Sequence, residues 1–212
     1  KQGHKVSVLT SVPNHPKGEI MEGFEKRKAF STDEMDGYTV ARHKFYITKN
    51  SGFIKKTLSH LSFAWHVYKE HKKAKHLEKP DIIMVSSPSF FCVLSAWRLS
   101  RIYNVPFVFE VRDLWPGIFR ELGTIKNEAL LSIIEKLELF LYKKSGAVVT
   151  VTKGFAKDIA NRGIDPTKLY VITNGVSDDE WEMATKPKTD GSVSRLQSEY
   201  QINNMTKVLL YI

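Results

Sequence analysis

Phe107-Val108-Phe109-Glu110-Val111-Arg112-Asp113-Leu114-Trp115-Pro116-Gly117 decides the fold. Val105 to Val111 is mostly β-branched and aromatic, the pattern of a buried strand. The run then breaks into charges, an indole, a proline and a glycine. In an open α/β sheet, ligands bind in the crevice outside the carboxyl ends of the strands, and Arg112 and Asp113 fall at that edge. Trp115 adds an apolar face and an N–H donor. Pro116 suits the first position of a helix, because its fixed φ is helical and its missing N–H is no loss there. The same residues allow a plainer reading, in which Arg112 and Asp113 form a surface ion pair of little energetic worth and Trp115 plugs the core.

Downstream, Asn127 to Lys144 predicts a helix with Leu130, Ile134, Leu137 and Leu141 on its buried face and Glu128, Glu135, Lys136 and Lys143 on its wet one. Ala147 to Val151 reads as a strand, and Thr152 caps a helix running to Asn161. Asp165-Pro166 is a turn, and Leu169 to Ile172 is another strand. Upstream, Asp81 to Val85 is a strand. Ser86-Ser87-Pro88-Ser89 leads into a helix from Phe90 to Tyr103. Small hydroxyl residues at such a junction can hold a ligand hydroxyl or phosphate, or Ser89 is simply a helix cap. Strand and helix thus alternate from residue 81 to residue 173, which implies parallel strands joined by crossovers: an α/β fold with a doubly wound, Rossmann-like sheet.

The first eighty residues are less regular. Gly3 reads as a helix C-cap, which raises the expectation that a strand, a loop and a helix precede residue 1. Lys5 to Thr10 is a short strand. Ser11 to Gly18 holds two prolines, a glycine and an asparagine and cannot be regular; Asn14, His15 and Lys17 could reach a ligand from it, or lie on a solvated loop. No second ligand stands at metal-binding distance from His15. Ile20 to Asp36 reads as an irregular excursion, and Gly37 to Ile47 as a strand. Phe53 to Lys79 predicts a long helix whose apolar residues Ile54, Leu58, Leu61, Trp65 and Tyr68 share one face. Lys55, Lys56, Lys69, Lys72, Lys73, Lys75 and Lys79 surround it. That stripe either packs on the sheet, with the lysines solvated, or belongs to a basic amphipathic helix lying near anionic lipid.

After residue 176 the alternation stops. Residues 182–206 read as a linker, with Leu196 to Gln201 forming a helical turn or two. Lys207 to Ile212 reads as the first strand of a second domain outside this chain. The domain expectation is therefore one Rossmann-like domain over 1–181, a linker over 182–206, and the start of another domain over 207–212.

Composition sets limits on partners. The chain has 212 residues, 42% of them hydrophobic, enough for a substantial core. Its single cysteine, Cys92, excludes an internal disulfide, reads as a buried inert thiol and fits a reducing cytoplasm. No apolar run reaches the roughly 20 residues that span a bilayer. The net charge of +9 favours polyanionic neighbours. Nucleic acid is one, but the lysines concentrate on one helix and no aromatic-rich recognition strand stands beside them. Walker, Gly-x-Gly-x-x-Gly, zinc-site and Gly-x-Ser-x-Gly patterns are all missing.

Several segments, in order, resemble one family. Gln2 to Thr10 is similar to an early strand of pattern GHxVxVxT, and Pro80-Asp81-Ile82-Ile83 to a strand entry. Val151-Thr152-Lys153-Gly154-Phe155 and Val171-Ile172-Thr173-Asn174-Gly175-Val176 resemble two later landmarks. Arg112-Asp113-Leu114-Trp115-Pro116 resembles the RDLWP turn of a subset that builds bacterial surface polysaccharide, similar to transferases of the fucosamine type. The chain thus looks like the N-terminal lobe of a retaining, GT-B-fold glycosyltransferase of family 4. Ser177 departs from the family's usual Asp after Asn-Gly-Val.

The resemblance implies that this half binds the acceptor, a lipid-linked sugar, while a second lobe grips the nucleotide-sugar donor. It implies no metal and no further cofactor, and inactivity of this half alone. It implies a cytoplasmic protein lying peripherally on an anionic membrane surface, with no nucleic-acid partner. By the same resemblance Asp113 is the catalytic candidate, Arg112, Trp115, Asn14, His15, Ser86 and Ser87 face the acceptor, and Asn174 and Gly175 shape the cleft. A sugar-nucleotide epimerase of the same architecture, or a non-catalytic basic module binding nucleic acid or membrane, is the alternative.

Overall fold

The computed structural model describes residues 3–14, 17–25, 30–48, 52–71, 78–87, 90–123, 125–186, 191–203 and 206–207. His15 and the Pro88-Ser89 pair lie outside these residues. So do Lys72, Lys73 and Lys75, and all of the expected last strand but Lys207. Two compact units divide the chain, Lys1–Thr173 and Asn174–Ile212.

The first unit holds a four-stranded, wholly parallel sheet of β4 (Ile83–Ser86), β5 (Phe107–Val111), β6 (Ala147–Thr150) and β7 (Leu169–Val171), in that order. This is the doubly wound α/β arrangement that the alternation implied. Helices α2 (Phe90–Tyr103), α4 (Glu128–Lys144) and α5 (Lys153–Asn161) fall between its strands in sequence. Their starts follow cap chemistry: Asn127 accepts the Leu130 amide at 3.1 Å, and Thr152 accepts that of Phe155 at 3.1 Å, each cap contributing about 1 kcal/mol. The core gathers on β5, where Phe107, Phe109 and Val111 are buried against Phe90 and Val93 of α2, Leu141 and Tyr142 of α4, Val148 of β6 and Ile159 of α5. Burying each large apolar side chain is worth about 1.5–3 kcal/mol. Gly146 ends α4 where space is short: a Cβ there would lie 3.2 Å from that of Pro106.

A second sheet orders β1 (Ser7–Ser11), β3 (Tyr38–His43) and β2 (Phe30–Met35), with β1 parallel and β2 antiparallel to β3. Strand β2 corrects the reading of residues 20–36 as irregular. Its polar sequence disguised it, yet Asp36 and Gly37 both have positive φ, 49° and 81°, and turn the hairpin. Its charges are answered across the strands, by Arg42 Nε on Asp33 at 3.2 Å and the Thr39 hydroxyl on Glu34 at 2.7 Å.

Helix α1 (Phe53–Glu70) also corrects an expectation. It packs on α2, with the Ser95 hydroxyl donating to the Ala64 carbonyl at 2.8 Å, and its buried residues are Ser59, Ala64 and Val67. The apolar stripe points elsewhere: Leu58 is 52%, Leu61 40% and Trp65 59% exposed. On α4 the buried face is likewise rotated. Leu131, Glu138, Leu141 and Tyr142 are inside, whereas Leu130 is exposed and Ile134 and Leu137 are half-buried. Cys92 is half-buried rather than fully enclosed.

The second unit contains α6 (Asp178–Thr185), which crosses the expected start of the linker at 182, and α7 (Ser192–Glu199), which overlaps the helical turn expected over Leu196 to Gln201. Ser177 starts α6 with a capping box, in which its hydroxyl oxygen accepts the Glu180 amide and the Glu180 carboxylate accepts the Ser177 amide. That gives a local role to the residue at which the chain departs from the family pattern.

Candidate active site at the carboxyl end of the central strand

Strand β5 ends at Val111, and the next five residues make a turn held from two sides. Ser87 follows β4, is 1% exposed, and continues the β4–β5 ladder by donating its amide to the Glu110 carbonyl at 3.0 Å. Its hydroxyl oxygen accepts the Arg112 amide at 3.0 Å and the Asp113 amide at 3.5 Å. On the other side, Oε1 of Glu138 accepts the Trp115 amide at 3.1 Å. Asp113 therefore sits between two backbone anchors drawn from β4 and α4.

The side chains of the turn divide by role. The Trp115 indole stacks on Phe90, with ring centroids 5.5 Å apart and 15° between planes, and meets Phe119 edge-on at 4.4 Å. It packs against the core and anchors the turn from within. The Trp115–Pro116 peptide is cis. Pro116 occupies the cap position of α3 (Gly117–Glu121), so Gly117 rather than Pro116 takes the first helical position. Asp113 is half-buried and Arg112 exposed, and no ion pair joins them among the described residues. The surface-pair reading therefore does not describe this turn.

Glu138 was invisible as a site residue in the sequence. It is 1% exposed, accepts the Tyr142 hydroxyl at 2.8 Å on Oε1, and faces Nη2 of Arg162 at 2.5 Å on Oε2. Arg162 also lies 3.4 Å from Glu135 and 3.6 Å from Asp158. Burial pushes the Glu138 carboxyl up from the usual carboxylate range; the Arg162 guanidinium and the hydrogen bonds from Arg162, Tyr142 and Trp115 oppose that shift. Burial, and then the neighbouring Glu138, push the Tyr142 phenol well up. Burial acts to lower Arg162, but Glu138 beside it carries the balance upward. The available signal was register: Leu131, Ile134, Glu138 and Leu141 share one helical face, and a carboxylate in that stripe needs buried partners.

Of the remaining candidates, Ser86 and Asn14 make local hydrogen bonds. The Ser86 hydroxyl is exposed and donates to the Ser87 carbonyl at 2.9 Å. Asn14 is half-buried in the loop after β1, where its carbonyl accepts the Gly18 amide at 2.7 Å. No hydrogen bond joins it to residues 112–116 among the described residues. Asn174 and Gly175 belong to the second unit and are exposed. Among the described residues no three His, Cys, Asp or Glu side chains converge as a metal site would require.

A half-buried carboxylate on a doubly anchored turn, at the carboxyl end of a parallel strand, can orient a hydroxyl or accept its proton. Residues 1–180 match the family model for Glycosyltransferase Family 4. The chain is also 21% identical over 215 residues to the putative colanic acid biosynthesis glycosyl transferase WcaI of Escherichia coli (strain K12). That likeness covers 99% of this chain and 51% of the relative, so the chain spans about half the length of the curated relative it matches.

Proposed function

The chain belongs to glycosyltransferase family 4, and from that membership we propose that it is the acceptor-side half of a retaining glycosyltransferase. The enzyme moves a sugar from a nucleotide-sugar to a lipid-linked glycan in bacterial surface polysaccharide synthesis. The observation that carries this reading is the Asp113 carboxylate, half-buried beyond β5, with its backbone anchored to Ser87.

In this reaction an acceptor hydroxyl oxygen bonds to the anomeric carbon as the bond from that carbon to the nucleotide diphosphate breaks. The diphosphate leaves with the bonding electrons, and the hydroxyl proton passes to its departing oxygen. The transition state resembles an oxocarbenium ion, and the leaving charge needs cationic or amide donors, which we assign to the second lobe. This half supplies orientation. Asp113 accepts a hydrogen bond from the attacking hydroxyl and holds it on the face of the anomeric carbon that the diphosphate leaves. The Arg112 guanidinium, exposed beside it, pairs with an acceptor phosphate. Asn14, His15 and Ser86 extend the acceptor surface, and Asn174 and Gly175 shape the cleft between lobes. Ser87 and Trp115 take positioning roles, because the Ser87 hydroxyl oxygen already accepts the turn's amides and the indole is packed on Phe90. The reaction as proposed uses no metal.

The colanic acid label of the relative supports the surface-polysaccharide assignment. We further propose peripheral association with an anionic, cytoplasmic membrane face through α1. Leu58, Leu61 and Trp65 are exposed there, with Lys55 and Lys69 extending the same stripe at either end. No helix among the described residues is long and apolar enough to cross a membrane.

The test is transfer of labelled sugar by the full-length enzyme from a nucleotide-sugar panel to lipid-linked acceptors. Transfer that Asp113→Ala lowers by about ten-fold or more supports the reading. Epimerised nucleotide-sugar without transfer would replace it.

A further inference from the structure

Glu138 has no part in the chemistry proposed above, yet it is among the most completely buried charged side chains described. Burying a carboxylate is costly unless it is paired and hydrogen-bonded. Its partners come from three places in the chain. Trp115 lies in the turn after β5, Tyr142 one helical turn further along α4, and Arg162 at the end of α5. One carboxylate thus joins the candidate site turn to two helices.

The two oxygens are used differently. Oε2 faces the guanidinium, and Oε1 takes both the Tyr142 hydroxyl and the Trp115 amide. The guanidinium fixes where the carboxylate stands, and the carboxylate fixes where the amide of residue 115 stands. Asp113 lies two residues before that amide, and its own amide is held by Ser87. The backbone that carries the Asp113 side chain is thus held on both sides.

We propose that Glu138 is a positioning residue for Asp113, setting the geometry of the Asp113-Leu114-Trp115 turn through the Trp115 amide. This rests on the assignment of Asp113 to sugar transfer. The loss expected on disturbing it comes from misplacement of the acceptor hydroxyl, since small errors in a near-attack geometry are expensive in rate.

The test uses the full-length enzyme labelled with 5-fluorotryptophan, with the Trp115 resonance assigned by Trp115→Phe. Glu138→Gln keeps the shape and one acceptor oxygen but removes the charge facing Arg162. Tyr142→Phe keeps the volume and removes one donor to Oε1; it decides the question by the same measurements if Glu138→Gln does not fold. The Trp115 resonance should move while those of Trp65, Trp97 and Trp181 stay in place. The kcat for transfer should fall by about ten-fold with the donor KM unchanged. In an Asp113→Ala background the same substitution should cost little more, because the two residues act through one geometry. An unmoved Trp115 resonance overturns the proposal, and so does a loss that multiplies with that of Asp113→Ala. If the wild-type enzyme transfers no sugar, the functional reading fails, while the fluorine spectra still decide whether Glu138 sets the turn.

Discussion

The hydroxyl oxygen of Ser87 stands 3.0 Å from the amide nitrogen of Arg112, joining the end of one parallel strand to the turn that leaves the next. Both amides it accepts, those of Arg112 and Asp113, would lose their partner in Ser87→Ala. Leaving a buried donor unsatisfied costs about 1–3 kcal/mol. Chemical denaturation should therefore show Ser87→Ala destabilised by that order, with the transfer rate also reduced as the turn loosens. Wild-type stability in Ser87→Ala would mean that water or another group replaces the hydroxyl.

Asp113→Asn keeps the size of the side chain and removes its charge. If the carboxylate orients the acceptor hydroxyl, sugar transfer falls by about ten-fold or more with the melting temperature unchanged. The carboxylate makes no hydrogen bond or ion pair among the described residues, so folding does not depend on it. Full activity in Asp113→Asn removes it from the site.

The exposed stripe of α1 separates binding from stability. Leu61→Ala at a buried position would cost about 2–5 kcal/mol. At an exposed one it should stay within about 0.5 kcal/mol of wild type. Combined Leu58→Gln, Leu61→Gln and Trp65→Gln should leave the fold intact and lower retention on anionic vesicles in co-sedimentation. Unchanged retention would move the membrane contact to another surface.

Burial, and then Lys56 nearby, hold the His60 imidazole below its ordinary value of 6.5. A group depressed in the folded state contributes stability that is full above its unfolded value and is lost as pH falls through the folded one. The melting temperature should therefore decline as pH drops from about 7.5 to about 5.5. His60→Gln, which cannot take up the proton, should flatten that part of the curve. An identical slope in the variant would place the proton uptake elsewhere.

Much of this protein follows from local pattern. The β-branched and aromatic run of β5, the caps Asn127 and Thr152, and the alternation after residue 81 each depend on residues a few positions apart, so they can be read without a partner. Strand β2 was missed because its residues are polar, and what makes them a strand is pairing with Arg42 and Thr39 across the hairpin. Helix α6 was missed although Ser177 and Glu180 stand at capping-box spacing, since the residues after them carry no apolar stripe to reinforce it.

The candidate site divides along the same line. The position of Asp113 at the end of a buried strand was written in the order of the residues, because strand polarity and a break in hydrophobicity are properties of neighbours. What holds Asp113 there was decided only by folding. Ser87, Glu138 and Arg162 come from distant points in the chain and meet through sheet register and helix rotation. The same holds for α1, whose periodicity marks an apolar stripe but not the direction it faces. Helix rotation is set by which surface packs most closely, and on α1 Ser59, Ala64 and Val67 are buried while Leu61 and Trp65 are exposed.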